Sequence, residues 1–146
     1  MSRDVTLPNG TNVRAIPLAE RVYDDPTRDF GLYAEREWAP TWPSAVIEWD
    51  DFGPPNNNVE AARQVFDAFE RVSKGETVEV GCRAALGRTG TILACMAILA
   101  GVEPAEAEAW VHRNYDACAV EGDAQRAFII WFGNHAREQG WIGGGA

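Results

Sequence analysis

Residues 77–101, TVEVGCRAALGRTGTILACMAILAG, decide how this chain folds. The first of them alternate valine with other side chains, a pattern typical of a buried strand. Residues 87–90 mark a turn into a helix, and residues 92–100 are apolar on every side, which predicts a helix enclosed by the core. Gly101 follows as a C-terminal cap. The stretch therefore predicts a strand, a tight loop and a buried helix in direct succession.

The loop carries a thiol at its start, Cys82, and a guanidinium at its end, Arg88. A cysteine is most often a buried packing residue, and Cys95 inside the apolar helix is predicted to be one. Cys82 differs because a helix N-terminus and a nearby arginine both stabilise a thiolate. Arginine in the first turn of a helix is disfavoured by the helix dipole, so we expect Arg88 to grip an anion there. The loop is predicted to hold a phosphate against a nucleophile.

Cys82, five residues, and then Arg88-Thr89-Gly90 resemble the C-x5-R-[S/T]-G signature of cysteine-dependent protein tyrosine and dual-specificity phosphatases, in particular small single-domain bacterial members. The rival Walker A loop does not fit, because Gly81 and Gly87 are too far apart and an arginine replaces its lysine. By this resemblance Cys82 attacks phosphorus, Arg88 binds the phosphoryl oxygens and Thr89 helps the thiolate to leave. The resemblance also assigns phosphate binding to the loop residues Arg83, Ala84, Ala85, Leu86 and Gly87.

A second motif precedes the loop. Residues 49–55 read WDDFGPP and match six of the seven positions of the family's W-P-D-F-G-x-P loop, which holds the general acid. The resemblance places that acid at Asp51, with Asp50, which replaces the motif proline, as the alternative. A carboxylate that caps a turn would explain Asp51 without catalysis.

A third segment, residues 119–125 (AVEGDAQ), resembles the one that positions the hydrolytic water, and it makes Gln125 the candidate. A plain helix-surface glutamine is the competing interpretation. Arg113 and Tyr115 either line the pocket or belong to an exposed helix end.

Two positions depart from the family pattern. Gly81 stands where most members have the histidine that helps to set the loop and the thiol pKa. Ala85 occupies a position that is usually glycine, which costs about 1 kcal/mol if the loop requires a positive φ there. Both departures keep open a weak or non-catalytic protein.

Composition limits the remaining possibilities. The chain has 146 residues, 46% of them hydrophobic, and a formal net charge of −9, which argues against nucleic-acid and anionic-membrane surfaces as partners. Three cysteines do not suggest a disulfide framework, so we expect a reducing, cytoplasmic setting. His112 and His135 have no ligand-type spacing, so neither a metal nor another cofactor is predicted. We expect a monomer whose residues 1–146 form one phosphatase-like domain, with 140–146 as a flexible tail.

Further elements follow from local signals. Asn9-Gly10 predicts a hairpin, and strands are predicted from Phe30 and over 44–49. Helices are predicted over 59–74 with Asn58 as N-cap, from Pro104 to about Tyr115, and from Asp123, its own cap, to about Gln139. The predicted class is α/β (α+β), a three-layer domain in which helices flank a twisted, mostly parallel central sheet.

The sequence thus predicts a metal-independent phosphatase that acts on phosphorylated proteins or small phosphomonoesters, with phosphotyrosine as the expected group and phosphoserine or phosphothreonine as further candidates. A module that binds phosphorylated partners without turnover is the alternative, motivated by Gly81 and Ala85. A thiol enzyme acting on another oxyanion, such as arsenate, is disfavoured because only Cys118 is available as a resolving cysteine.

Overall fold

The computed structural model describes residues 3–18, 28–35, 38, 40–50 and 52–143. Its centre is a five-stranded sheet in the order β1-β2-β5-β3-β4. The strands are β1 (Arg3–Thr6), β2 (Asn12–Pro17), β3 (Phe30–Tyr33), β4 (Ser44–Val46) and β5 (Val78–Cys82). Within this sheet of described residues, β1 and β2 form an antiparallel hairpin, and the pairings β2–β5, β5–β3 and β3–β4 are parallel. The predicted class, a mostly parallel sheet flanked by helices, is confirmed.

Four α-helices lie in the described part of the chain: α1 (Asn58–Ser73), α2 (Gly87–Leu99), α3 (Ala107–Asn114) and α4 (Asp123–Glu138). All of them contribute side chains to one hydrophobic core together with one face of the sheet. Residues 87–98 of α2 are all buried, as expected of a helix whose residues from Ile92 onward are apolar on every side. The core is therefore organised around β5 and α2.

Among the described residues, aromatic side chains contribute to a second, smaller cluster on the opposite face of the sheet. Trp38 and Trp42 pack against a small buried cluster that includes Tyr33. The carboxylate of Glu79, on β5, is fully buried beneath them and accepts hydrogen bonds from the Tyr33 hydroxyl and from Nε of Arg28. A buried charge needs such partners, because leaving it unpaired costs several kcal/mol.

Several predicted boundaries differ in detail. The strand predicted over 44–49 ends at Val46, because Trp49 pairs with Pro55 across the following loop. Asn57, not Asn58, is the N-cap of α1, and its side chain accepts from the Glu60 amide at 3.0 Å. Pro104 opens a 3-10 turn before α3 instead of an α-helix.

Asp123 is the first residue of α4 and not its cap, a position held by Gly122. Gly122 has a φ of 107°, which explains why a glycine occupies the cap. Near the C-terminus, the ring of Trp141 stacks on Phe66 with centroids 4.4 Å apart, and Ile142 also packs against the core. Residues 144–146 lie outside the described part, so the flexible tail over 140–146 stays a prediction.

We predict that Gly133→Ala destabilises the fold. A Cβ at Gly133, on α4, would lie 2.3 Å from Cγ of Pro104, and a proline ring cannot move aside. Although alanine favours a helix over glycine by about 1 kcal/mol, overpacking should lower the free energy of unfolding by about 1–3 kcal/mol. Urea denaturation measures the change. Gly143→Ala is the control, because nothing lies within 4 Å of its added Cβ; an equal loss in both variants would contradict the prediction.

Candidate active site

The candidate nucleophile lies where the central strand ends. Cys82 is the last residue of β5 and only 2% exposed. Thr89, in the first turn of α2, donates a hydrogen bond from Oγ1 to the Cys82 sulfur at 3.0 Å. The loop of residues 83–86 joins the two elements, so the sulfur sits beside a helix N-terminus, a position that favours a thiolate. The structure therefore brings together Cys82 and Thr89 as the sequence predicted.

The Arg88 guanidinium is buried next to the same turn, with 5% of the residue exposed. Its Nη1 donates to the backbone oxygens of Ala34, at 2.8 Å, and Trp49, at 3.0 Å. Its Nη2 lies 3.5 Å from a carboxylate oxygen of Glu35. These contacts fix the plane of the guanidinium and connect it to the end of β3 and to the first residue of the 49–55 loop. A rigid fork of this kind is suited to binding a planar or tetrahedral oxyanion.

The loop itself is strained at one residue. Ala85 has a φ of 59°, in the left-handed region where an L-residue with a Cβ is disfavoured. Ala85 is buried, whereas Arg83 and Ala84 are exposed. Leu86 is half-buried and Gly87 is buried. The positive φ required at Ala85 explains why glycine is usual at that position.

Gly81 has a packing explanation. A Cβ there would lie 2.9 Å from the backbone oxygen of Ile16 on the neighbouring strand β2, closer than any real side chain comes. The histidine that the family pattern places before the cysteine therefore cannot be accommodated with β2 in this position. The departure at Gly81 follows from the sheet and leaves the geometry of the loop in place.

Gln125 is fully buried on α4, which excludes the alternative of a helix-surface glutamine. Its Oε1 accepts from the backbone amide of Glu121 at 2.6 Å and from the Thr91 hydroxyl at 3.3 Å. Its Nε2 is buried without a hydrogen-bond partner among the described residues. A Cβ built on Gly87 would lie 3.0 Å from that nitrogen, so the amide rests directly against the candidate phosphate loop. A buried donor left unpaired at this place is available to a ligand or a water molecule.

Asp51, the predicted acid, lies outside the described residues, so its role stays a prediction. The residues around it form a closed loop. The indole of Trp49 donates to the backbone oxygen of Gly53 at 2.7 Å, and Trp49 pairs with Pro55. The Phe52 backbone oxygen would lie 3.7 Å from a Cβ added at Gly122, just before α4. The alternative acid, Asp50, is exposed.

The other cysteines differ from Cys82. Cys95 is fully buried in α2, and that burial raises the pKa of its thiol well above the usual value, so it is inert at neutral pH. Cys118 is exposed and, like the other two, is a free thiol. Among the described residues, no group of three or more His, Cys, Asp or Glu side chains is arranged to hold a metal ion. No helix of the described part is both long and apolar enough to cross a bilayer.

Sequence reasoning missed Glu35, which pairs with Arg88, and Glu121, whose carboxylate would lie 2.4 Å from a Cβ built on Gly87. Both come from chain segments far from the loop. The position of Glu35, two residues after the end of the parallel strand β3, was a usable signal, because the carboxyl ends of such strands converge on the site. Tyr115, named as a possible pocket residue, does contact the loop: its hydroxyl donates to the backbone oxygen of Ala85.

Comparison with known sequences gives relatives without known function. Two uncharacterized proteins of Methanocaldococcus jannaschii are 39% and 38% identical to this chain over 90 residues. The matched region covers 60% of this chain and 58% and 54%, respectively, of theirs, so it spans little more than half the length of these relatives. No protein-family model matches the chain.

Comparison with solved structures defines the fold. The active form of Tk-PTP aligns with a TM-score of 0.69 at 21% identity, over 89% of this chain and 96% of that one. PTPMT1 in complex with PI(5)P aligns at 0.67 and 16%, over 88% and 93%. Kinase associated phosphatase aligns at 0.73 and 10%, over 95% and 94%. The chain therefore has the fold of the cysteine-dependent tyrosine and dual-specificity phosphatases, and the resemblance inferred from its motifs is confirmed at the level of the fold.

We predict that Ala85→Gly stabilises the protein. Glycine adopts the observed φ of 59° without steric cost, so the free energy of unfolding should rise by about 1 kcal/mol. Urea denaturation checks this. Ala84→Gly is the matched control, because its φ is not positive and glycine there only adds freedom to the unfolded chain. Equal effects in the two variants would show that the strain at Ala85 has no energetic weight.

Proposed function

We propose that this protein is a phosphatase that hydrolyses phosphomonoesters through a phosphocysteine intermediate. The observation that carries the proposal is the turn from β5 into α2, in which the Cys82 sulfur, the Thr89 hydroxyl and the buried Arg88 guanidinium are fixed within one loop. The fold shared with known phosphatases supports the same conclusion.

In the first step, the Cys82 thiolate attacks phosphorus in line with the leaving oxygen, forming an S–P bond as the P–O bond breaks. Arg88 and the loop N–H groups hold the three remaining phosphoryl oxygens and stabilise their charge in the transition state. Asp51 gives its proton to the departing alkoxide or phenolate. The hydrogen bond from Arg88 to the Trp49 backbone oxygen couples the 49–55 loop to the phosphate site, because the same guanidinium contacts the loop and binds the phosphoryl group.

In the second step, a water molecule attacks the phosphocysteine, the S–P bond breaks and inorganic phosphate leaves. Asp51, now ionised, accepts a proton from this water. The unpartnered Nε2 of Gln125, next to Gly87, is placed to orient the water or a phosphoryl oxygen. The Thr89 hydroxyl stabilises the thiolate as it is released, through the hydrogen bond it already makes to the sulfur.

The substrate class we propose is phosphorylated protein, with phosphotyrosine as the preferred group. The net charge of −9 disfavours polyanionic lipid surfaces and so favours a protein substrate or a small monoester. The PI(5)P complex of PTPMT1 concerns that protein, and it supplies the competing substrate class to be tested beside phosphopeptides.

A second candidate is a module that binds phosphorylated partners with little or no turnover. It is favoured by one observation: Ala85 holds a positive φ of 59° at a position that is usually glycine, so the loop departs from the family pattern at a strained residue. The pH–rate profile separates the two candidates, because only an enzyme shows both a thiolate limb and a general-acid limb.

We predict metal-independent hydrolysis of p-nitrophenyl phosphate that persists in the presence of a chelator. Cys82→Ser should abolish it, and Asp51→Asn should reduce kcat roughly 10²–10⁴-fold through the loss of the general acid. Asp50→Asn is the matched control for the neighbouring carboxylate and should have little effect. If Asp50→Asn has the larger effect, the acid has been assigned to the wrong residue; if the wild type shows no turnover but binds phosphopeptide through Arg88, the protein is a binding module.

We predict that Gln125→Ala slows the second step more than the first. A rapid-mixing experiment with p-nitrophenyl phosphate should then show a burst of about one p-nitrophenol per protein followed by slow turnover, because the phosphocysteine accumulates. Arg126→Ala, on the exposed side of the same helix, is the control and should show no such change. A Gln125→Ala variant with wild-type steady-state kinetics would remove Gln125 from the mechanism.

A further inference from the structure

The Tyr115 side chain links the candidate phosphate loop to an element that the mechanism above does not use. Tyr115 directly follows α3 and is 8% exposed. Its hydroxyl donates a hydrogen bond to the backbone oxygen of Ala85, the residue with the positive φ in the middle of the loop. The most strained residue of the loop is thus held by a side chain from another part of the chain.

The direction and persistence of this hydrogen bond are well defined. A backbone carbonyl only accepts, so the phenol must be the donor. Burial raises the pKa of Tyr115 to about 12, with a smaller contribution from the nearby Cys82 opposing the effect of Arg3. The hydroxyl therefore keeps its proton throughout the neutral and mildly alkaline range, and the contact is not switched by physiological pH.

The contact controls which way one peptide group of the loop faces. The carbonyl of Ala85 and the N–H of Leu86 belong to one planar trans peptide and point in opposite directions. Fixing the carbonyl on Tyr115 therefore fixes the Leu86 N–H on the other side. In a loop that binds an anion through its N–H groups, a reversed peptide would present a carbonyl oxygen, which repels the anion.

Tyr115 is itself held by the first strand. Nη1 of Arg3, on β1, donates to the Tyr115 backbone oxygen at 2.6 Å, and Nη2 donates to the Asp116 carboxylate at 2.7 Å. The Arg3 guanidinium also lies over the Tyr115 ring, 4.8 Å from its centroid. One residue of the edge strand thus contacts both the backbone and the ring of the tyrosine that holds the loop.

We propose that Tyr115 is a positioning residue that locks the Ala85–Leu86 peptide in its anion-binding orientation, and that Arg3 holds Tyr115 in place. The inference rests on the proposed function, since it assumes that the loop binds a phosphoryl group. It adds to that function the claim that the affinity of the loop for the anion depends on Tyr115, which lies outside the loop.

Phosphate binding tests the proposal without requiring turnover. Titration calorimetry with inorganic phosphate is carried out on the full chain carrying Cys82→Ser, with and without Tyr115→Phe, which removes only the hydroxyl. The loss of one hydrogen bond that orients the loop should weaken phosphate binding about 3- to 10-fold. Val111→Ala in the same background is the matched control: it shortens a buried side chain of α3 and keeps the Tyr115 hydroxyl, so it should leave the affinity unchanged.

The outcomes separate the two proposals. If Cys82→Ser alone binds no phosphate, the proposed function fails and this inference fails with it. If it binds phosphate and Tyr115→Phe binds equally well, or if Val111→Ala weakens binding as much, the inference fails alone and the proposed function stands.

A second readout uses the pH dependence of Cys82 alkylation by iodoacetamide in the protein with its native Cys82, followed on the Cys82 peptide by mass spectrometry because Cys118 is also a free, exposed thiol. In Tyr115→Phe, the loop N–H groups should stabilise the Cys82 thiolate less well. The midpoint of the alkylation rate should therefore move to higher pH. Arg3→Met should shift it in the same direction by a smaller amount. A purely structural role for Tyr115 would lower the thermal stability and leave this midpoint in place, which would overturn the proposal; an unchanged midpoint in Arg3→Met alone would overturn the part assigned to Arg3.

Discussion

The hydrogen bond from Thr89 to the Cys82 sulfur closes the turn on which the rest of this structure depends. It joins the end of β5, paired on both sides with parallel strands, to the start of α2, whose residues 87–98 are all buried. Neither element can move without disrupting the core, so the loop between them has a fixed entrance and exit. The five residues between Cys82 and Arg88 are therefore confined to one backbone path, and the strain at Ala85 is one result.

Electrostatics within this turn are balanced by groups from outside it. The protein is acidic overall, yet the loop combines a helix N-terminus with a buried arginine. Two backbone carbonyls and the Glu35 carboxylate surround that arginine, so its charge is compensated in the absence of an anion. Under the proposed function, phosphate binding would be an exchange of partners at Arg88, and the affinity would depend on how the loop N–H groups are oriented. The Tyr115 hydroxyl, which donates to the Ala85 carbonyl, would then influence that affinity.

The parts of the site that could be predicted from sequence are those determined by residues adjacent to one another along the chain. The strand, the loop and the helix of residues 77–101 follow from local patterns, and the spacing of Cys82 and Arg88 follows with them. The contacts of Glu35 and Tyr115 could not be predicted in this way, because they depend on where β3 ends and on how α3 packs. The conflict between Gly81 and Ile16 also arises only when β2 pairs with β5, so the missing histidine looked like a loss of function in the sequence and is a packing constraint in the structure.

The buried carboxylate of Glu79 has a consequence for how the chain finds its native pairing. Glu79 lies opposite Gly31 in the β3–β5 ladder, and Tyr33 folds over that glycine to reach it. If β5 slipped by one residue, every side chain would exchange faces, and Glu79 would enter the apolar core between the sheet and the helices with no partner. Such misaligned states are therefore strongly disfavoured during folding. The buried charge of Glu79, on the face remote from the helices, thus selects the correct register of β5. Because Cys82 ends the same strand, that register also determines the position of its sulfur.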